Sequence, residues 1–371
     1  MATEQQTPAG ENSPRAVKSG VIGIIGRPSA GKSSLVNRIC GYKVSIVSPY
    51  PQTTRTRIRG IYTEPRGQLL FLDTPGYHLS EKKLNQGYQE VVTESLPECD
   101  ALLYIRDVTR PAGDEEAAIL ALVQNSGLPW VAALNKVDAL TEAGDSTRPQ
   151  ADPAAASDGG KHAGRGRQSG GGRPRRDSPE VHAAKMAAAR AAAAAAAAAP
   201  TPDPAELGWT TPGDHPPAAA VSISAETGAG VPALLEALFS VAPEGEPMYP
   251  AEYYTDQDPQ FRIAEVIREQ AIKRTSQEVP HAIYVDIADA EYDAASETLS
   301  VRAFLIVERE SQKGIVVGKG GEKIKAIRTG ALRQLKELFS YRIKLDLRVK
   351  VQPKWRQRAG TIRKITRGWE Q

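Results

Sequence analysis

Val21-Ile-Gly-Ile-Ile-Gly-Arg-Pro-Ser-Ala-Gly-Lys-Ser-Ser34 decides how this 371-residue chain is read. Within it, Gly26 to Ser33 fits G-x-x-x-x-G-K-[ST], a loop that cradles phosphates. An apolar, β-prone run at 21–25 precedes the loop. Behind it, Leu35, Val36, Ile39 and Cys40 fall on one helical face. Strand, loop and helix in that order are the context the motif requires. The chemistry follows from geometry. Glycines let backbone N–H groups turn inward on oxygen atoms with no Cβ in the way. The helix that starts there aims the positive end of its dipole at the same place. Gly26, Arg27, Pro28, Ser29, Ala30, Gly31 and Ser34 therefore belong to an expected anion site. Lys32 would reach the β- and γ-phosphates, and the Ser33 hydroxyl would bind Mg²⁺.

Outward from this loop, apolar runs recur at 68–72, 101–105, 130–134 and 219–223. Helical patterns fall at 84–95 and 114–125, and a closing helix at 231–241. Strands that alternate with helices imply a doubly wound, mostly parallel α/β sheet covered on both faces. Ligands bind such sheets at the carboxyl ends of the strands. The remaining motifs obey that rule. Asp73, Thr74, Pro75 and Gly76 end the second run. A carboxylate there can hold Mg²⁺ through its water shell, and the Gly76 N–H can sense a γ-phosphate. The loop at 51–57 reads as polar and mobile. A threonine hydroxyl in it would complete the Mg²⁺ shell, and both Thr53 and Thr54 qualify.

Asn135-Lys-Val-Asp138 selects the base. The Asp138 carboxylate can accept from guanine N1–H and the exocyclic amine, whereas adenine offers an acceptor at N1. A buried polar group left unmatched costs about 1–3 kcal/mol. Ser224-Ala-Glu226 follows the last strand, so a backbone N–H near Ala225 is expected to meet guanine O6. Together with Lys136 these residues favour GTP over ATP.

Composition bounds the rest. Charge is nearly balanced at formal +3, so net charge alone implies no partner. Two cysteines, Cys40 and Cys99, lack metal-type spacing and read as reduced thiols of a cytosolic protein. No stretch approaches the ~18 apolar residues of a membrane span. Residues 1–19 form a polar lead without the apolar core of a secretory signal. The nucleotide domain is expected over 20–138 and 218–242. Residues 139–217 are a low-complexity insertion whose composition cannot offset chain entropy. Six basic residues and no acid lie within 161–176, a block able to touch RNA or to serve as a solvated spacer. An alanine-rich helix is expected at 181–199.

Residues 243–259 read as a linker and 260–352 as a second, α+β unit of order α-β-β-α-β. In it, Gly318, Lys319, Gly320 and Gly321 match the GXXG turn of KH domains, with the apolar 315–317 feeding it as strand-loop-helix. Glycine ends let the turn lie against a sugar-phosphate backbone, and Lys319, Lys323 and Lys325 add charge. The 353–371 tail is basic, with Trp355 and Trp369 interleaved for stacking.

These motifs in this order resemble the Era-type GTPases. The resemblance rests on the phosphate loop, Gln52-Thr-Thr-Arg55, Asp73-Thr-Pro-Gly76, Asn135-Lys-Val-Asp138, Ser224-Ala-Glu226, Tyr249-Pro, Thr255-Asp256, Leu305-Ile-Val-Glu-Arg-Glu310 and the Gly318–Gly321 turn. It covers residues 20–138 and 218–355 and gives no counterpart for the insertion. It implies a P-loop GTPase domain followed by a type II KH domain. GTP and GDP would bind with Mg²⁺, hydrolysis would use Lys32, Thr54 and Gly76, and Mg²⁺ would sit on Ser33, Thr54 and Asp73. The implied partners are the 3′ end of 16S rRNA and the 30S subunit. A cytoplasmic monomer with peripheral association at the inner membrane is also implied. Tyr77 stands where Ras-type enzymes place a glutamine, so slow intrinsic turnover is expected, with His78 beside it. Two other readings compete. One is an RNA adaptor in which nucleotide is only structural. The other is a tRNA-modification GTPase, which would want a C-terminal cysteine motif, and the chain ends Gly368-Trp-Glu-Gln.

Overall fold

The computed structural model describes residues 17–77, 83–140, 201–207, 209, 215–276 and 278–367. The polar lead at 1–16, the basic block at 161–176, the alanine-rich 181–199, His78 and Trp369 lie outside the described residues.

The first unit is a six-stranded sheet. Its strands are β1 (Lys18–Gly26), β2 (Ile58–Glu64), β3 (Gly67–Asp73), β4 (Ala101–Asp107), β5 (Trp130–Asn135) and β6 (Ala219–Ile223), in the order β2-β3-β1-β4-β5-β6. Pairing is parallel from β3 through β1, β4 and β5 to β6. Ile22 and Ile24 face α1 (Lys32–Cys40) and α4 (Val231–Val241). Ile25, Leu72 and Leu102 face α2 (Lys83–Ser95) and α3 (Asp114–Asn125). Strands covered on both sides need apolar residues at every position, which is why these five read as unbroken apolar runs.

The sixth, β2, is absent from the sequence reading. It pairs antiparallel with β3 at the sheet edge and mixes Arg59 and Gly60 with Ile61 and Tyr62. Gly67 closes the hairpin at φ 147, where a Cβ would lie 1.7 Å from the Lys18 carbonyl oxygen. The stretch expected as a linker covers the open edge of β2. Ile61 N donates to Tyr254 O at 3.0 Å, and Thr255 Oγ1 donates to Arg59 O at 2.7 Å. An edge covered in this way cannot template a stray strand. Leu207 and Trp209 fall inside the low-complexity stretch, yet both pack against the core, with the Trp209 ring 6.1 Å from Tyr104.

The second unit starts with α5 (Pro259–Ile272), capped by Asp258, whose Oδ1 accepts from Gln260 N and Phe261 N. Then come β7 (Tyr284–Asp293), β8 (Thr298–Val307), α6 (Glu310–Val317), α7 (Glu322–Leu338) and β9 (Arg342–Val351). The sheet order is β7-β8-β9, antiparallel then parallel. Ile267, Leu305, Ile327 and Leu335 meet in its core. The apolar 315–317 is the last turn of α6, not a strand. Val316 is buried while Ile315 is exposed, as helical spacing requires. A three-residue apolar run has no period to tell helix from strand.

The basic tail is also not free. Trp355 is fully buried, donates from Nε1 to Ala282 O at 3.0 Å and meets Tyr284 edge-on. It is unavailable to stack on a base. The helix α8 (Ala359–Arg367) follows, with Ile362 seated over Gly87 of α2. Trp355→Ala is expected to cost about 3–5 kcal/mol of stability, as for other buried tryptophans. Chemical denaturation of the full chain measures this, and a change below about 1 kcal/mol would return the segment to the solvated class. Cys40 and Cys99 are both free and buried, and burial pushes each thiol up to about 12. No helix among the described residues is long and apolar enough to cross a membrane.

Candidate functional site

A cavity of about 320 Å³ opens at the carboxyl ends of β1, β3 and β4. The phosphate loop forms its floor. Gly26 lies so close to β4 that a Cβ would sit 2.4 Å from Ile105 O. Ser29 and Gly31 take φ of 63 and 97, and a Cβ on Gly31 would meet Asn135 Nδ2 at 2.2 Å. The loop therefore presents backbone, and α1 begins at Lys32, with Lys32, Ser33 and Ser34 of its first turn lining the cavity. The Lys32 ammonium donates to Gly26 O and Arg27 O, both at 3.0 Å. Burial lowers its pKa to about 8, against the pull of Asp73 and Glu116. Arg27 is held by Glu115 at 2.9 Å, and Glu116 accepts from Tyr104 at 2.7 Å. This strap between the loop and α3 belongs to no recognised motif.

The structure brings three oxygen donors together. Ser33 Oγ and Thr54 Oγ1 are 2.8 Å apart. Asp73 is fully buried, and neither of its carboxylate oxygens has a hydrogen-bond partner among the described residues. Burial pushes the Asp73 carboxyl up, while the nearby Ser33 hydroxyl and Lys32 ammonium pull it down. A buried carboxylate with idle lone pairs beside two hydroxyls suits a hard cation that takes oxygen ligands. Thr53 does not join them. Its hydroxyl contacts Ser48 Oγ at 2.7 Å and donates to Tyr50 O at 2.8 Å, so it only closes its own loop. Thr74 is tied to Ile24 O at 2.7 Å, and Pro75 is buried beside it. Gly76 lies on Pro28, where a Cβ would come within 2.6 Å of Pro28 Cα. Tyr77 N donates back to Gly26 O at 3.2 Å.

At the other end, Asn135 joins three loops. Its Nδ2 donates to Ala30 O at 2.8 Å, and its Oδ1 accepts from Ala225 N at 2.9 Å. The Ala225 N–H is therefore taken by Asn135 in this structure, whereas the sequence reading expects a backbone N–H near Ala225 to meet guanine O6. Ser224 is buried and accepts from Thr227 N, Glu226 is exposed, and Asp138 is half-buried. Lys136 takes φ 71, lines the cavity and meets Asp107 at 2.6 Å.

The loop at 51–57 differs most from expectation. Thr54, Arg55 and Thr56 are buried, because the second unit holds them. Arg55 donates to Ile283 O at 2.6 Å and to His281 O at 3.3 Å, and its guanidinium lies over the Trp355 ring. Burial lowers its pKa to about 10, which leaves it charged at neutral pH. Arg268 of α5 donates to Thr53 O and pairs with Glu265. Glu269 accepts from Val47 N and pairs with Lys43. No sequence motif marks Arg268 or Glu269. Their signal is only that charged residues sit on the apolar face of a helix.

The GXXG turn stands apart from the cavity. Gly318, Gly320 and Gly321 all take positive φ, at 75, 60 and 81. Above Gly320 and Gly321 a Cβ would meet nothing within 4 Å. The glycines there answer to backbone conformation and leave open space for a close approach. Lys319 and Lys325 are exposed and Lys323 is half-buried, around the start of α7.

Comparison with known proteins agrees with both units. A family model described as a 50S ribosome-binding GTPase matches residues 21–136, and a KH domain model matches 278–356. The GTPase Era of Treponema pallidum is 43% identical over 347 residues, 93% of this chain and 96% of that protein. The GTPase Era of Treponema denticola is 40% identical over 350 residues, 94% of this chain and 100% of its own. Among solved structures, an Aquifex aeolicus Era variant bound to GDP and AlF4⁻ aligns with a TM-score of 0.71 at 28% identity, covering 94% of this chain and 99% of that one. Era in complex with MgGDPNP and nucleotides 1506–1542 of 16S ribosomal RNA aligns with the same score at 27% identity, covering 94% and 98%. With both units matched in order over nearly the whole length, this chain belongs to the Era family of GTPases.

Proposed function

We propose that this protein binds GTP with Mg²⁺, hydrolyses it slowly, and uses the nucleotide state to control binding of single-stranded RNA at the 3′ end of 16S rRNA during 30S subunit assembly. One observation carries the reading. Thr54 touches Ser33 beside the unpartnered Asp73 carboxylate, and its neighbour Arg55 is anchored in the second unit. Whatever moves Thr54 must therefore act on the RNA-binding unit.

In this reading Ser33, Thr54 and Asp73 hold Mg²⁺, which supplies charge neutralisation on the β/γ oxygens. Lys32 binds the same oxygens, and the Gly76 N–H meets the γ-phosphate. The loop from Gly26 to Ser34 encloses the phosphates, with Thr53, Thr74 and Pro75 shaping its edges. Asn135, Lys136 and Asp138 face the base, with Ser224, Ala225 and Glu226 behind them. Tyr77 offers no carboxamide to orient a water, so intrinsic turnover is slow and a ribosomal partner accelerates it. Gly318, Lys319, Gly320, Gly321, Lys323 and Lys325 grip the RNA backbone. The family reading also carries a cytoplasmic monomer with peripheral contact at the membrane, testable by sedimentation and by flotation with lipid vesicles.

The direct test is phosphate release from GTP with the purified full chain, in the presence of excess ATP and with or without Mg²⁺. Mg²⁺-dependent release that ATP does not compete away, and that a 16S 3′-end RNA stimulates, supports the proposal. Equal use of ATP contradicts it. A pH dependence follows from Lys32. Its pKa is about 8 in the nucleotide-free protein, and bound phosphates raise it. Binding then takes up a proton above that pH. GDP affinity should be flat below pH ~8 and fall by up to about tenfold per unit above it. Fluorescence titration with a labelled GDP between about pH 7 and 10 checks this, and a flat profile over that range contradicts a proton taken up by Lys32 on binding.

A further inference from the structure

We infer that Asp107 is a positioning residue of the nucleotide cavity, setting two rim cations, Lys136 and Arg110, against the base end and the phosphate loop. This assignment rests on the nucleotide reading of the cavity and adds a residue that none of its motifs contains. Asp107 ends β4 in register with Asn135. Only 4% of its side chain is exposed. Its two oxygens have separate partners. Oδ1 accepts from Thr109 N at 3.0 Å and from Thr109 Oγ1 at 2.6 Å, which fixes the carboxylate plane. Oδ2 accepts from Lys136 Nζ at 2.6 Å and lies 3.4 Å from Arg110 Nε. Arg110 then reaches Pro28 O in the phosphate loop from Nη1, at 3.4 Å. Val108 N donates to Asn135 O at 3.1 Å, tying the same turn to the base-reading loop. Burial alone would push the Asp107 carboxyl up, but Lys136 and Thr109 outweigh it and hold it below its usual range.

A buried carboxylate persists only when its lone pairs are satisfied. Here the groups that satisfy Oδ2 are side chains that line the cavity, Lys136 and Arg110. The consequence is preorganisation. A free lysine samples many rotamers, and a ligand that uses its stem must order it at a cost. With Nζ held at Oδ2, the methylene stem of Lys136 already stands as a wall of the cavity and its charge is withdrawn from the base. Arg110 is likewise laid along Pro28. One carboxylate thus sets the distance between the base-reading loop and the phosphate loop.

The test uses the full chain and titration with fluorescent GDP. Asp107→Asn keeps the shape and removes the charge, and should weaken GDP about tenfold, the size of coupling seen between side chains in contact. The same substitution in a background carrying both Lys136→Met and Arg110→Met should weaken it less than about twofold further. A merely structural aspartate would lower affinity equally in both backgrounds, and that result overturns the assignment. So does an Asp107→Asn protein within about twofold of wild type. If Asp107→Asn does not fold, Thr109→Val frees Oδ1 while keeping the charge pair. It should weaken GDP about threefold, again only when Lys136 and Arg110 are present, and no loss overturns the assignment. Wild-type protein that binds no GDP would sink the nucleotide reading itself, a different outcome.

Discussion

Lys32→Ala is expected to lower kcat/KM for GTP by about 10²- to 10³-fold, the loss found when one preorganised charge-stabilising donor is removed. Lys32 is the buried cation at the start of α1, 6% exposed and aimed at the loop carbonyls of Gly26 and Arg27. In the free protein those carbonyls stand where phosphate oxygens would compete for the ammonium. The methionine-sized hole it leaves faces the open cavity, and the charge it removes is already penalised by burial. Stability should therefore change by less than about 1 kcal/mol. Activity measured beside a thermal melt separates chemistry from folding. A Lys32→Ala protein within tenfold of wild type would favour the RNA adaptor, in which nucleotide is only structural.

Arg55→Ala should remove the dependence of RNA affinity on nucleotide. Arg55 is the side chain by which the Thr54 loop enters the second unit. It spans two carbonyls, at Ile283 and His281, and lies over Trp355. Hydrogen bonds to a charged donor are worth about 1.5–3 kcal/mol each, and the stranded carbonyls add a penalty. The desolvation of a buried guanidinium works the other way, so the net loss of stability should be about 2 kcal/mol. Function should suffer more. With Arg55 gone, the Thr54 loop loses its tie to the start of β7 and keeps the ties from α5 at Arg268 and Glu269, so the ratio of RNA affinities in the GTP and GDP states should fall toward one. Arg55→Lys keeps the charge but cannot reach both carbonyls with a planar fork, so it should also lose most of the ratio. An unchanged ratio in both variants would place the coupling elsewhere.

Much of this was legible in the sequence, for a physical reason. Strands buried on both faces must be apolar throughout, so β1, β3, β4, β5 and β6 stand out as runs. Motifs at their ends are short and have fixed chemistry, so Lys32, Ser33, Asp73 and Asn135 could be named from spacing alone. What escaped reading shares one feature: its environment is set by distant residues. β2 is an edge strand carrying Arg59 and Gly60, and a Cβ at position 60 would lie 2.7 Å from Val36 Cγ1 and 3.0 Å from Cys40 Sγ. The run at 315–317 is too short to carry a period. Trp355 sits in a basic stretch that composition assigns to solvent, yet Ala282 and Tyr284 bury it. Thr53 and Thr54 are adjacent and alike, and only the fold of the loop turns one to Ser33 and the other to Tyr50. Asp107 had the same signal as Asp73, an acid at the end of a buried strand, without a motif after it.

The Thr54 loop and the RNA-binding unit, joined through Arg55 and Arg268, are expected to move as one. Affinity of the full chain for a single-stranded 16S 3′-end RNA, measured with saturating non-hydrolysable GTP analogue and then with GDP, tests it most directly. The contacts that Arg55 and Arg268 make across the two units predict a difference of about fivefold or more, the low end of allosteric coupling between sites. Equal affinities in the two nucleotide states would contradict it, because a ligand shifts only those states that it binds unequally.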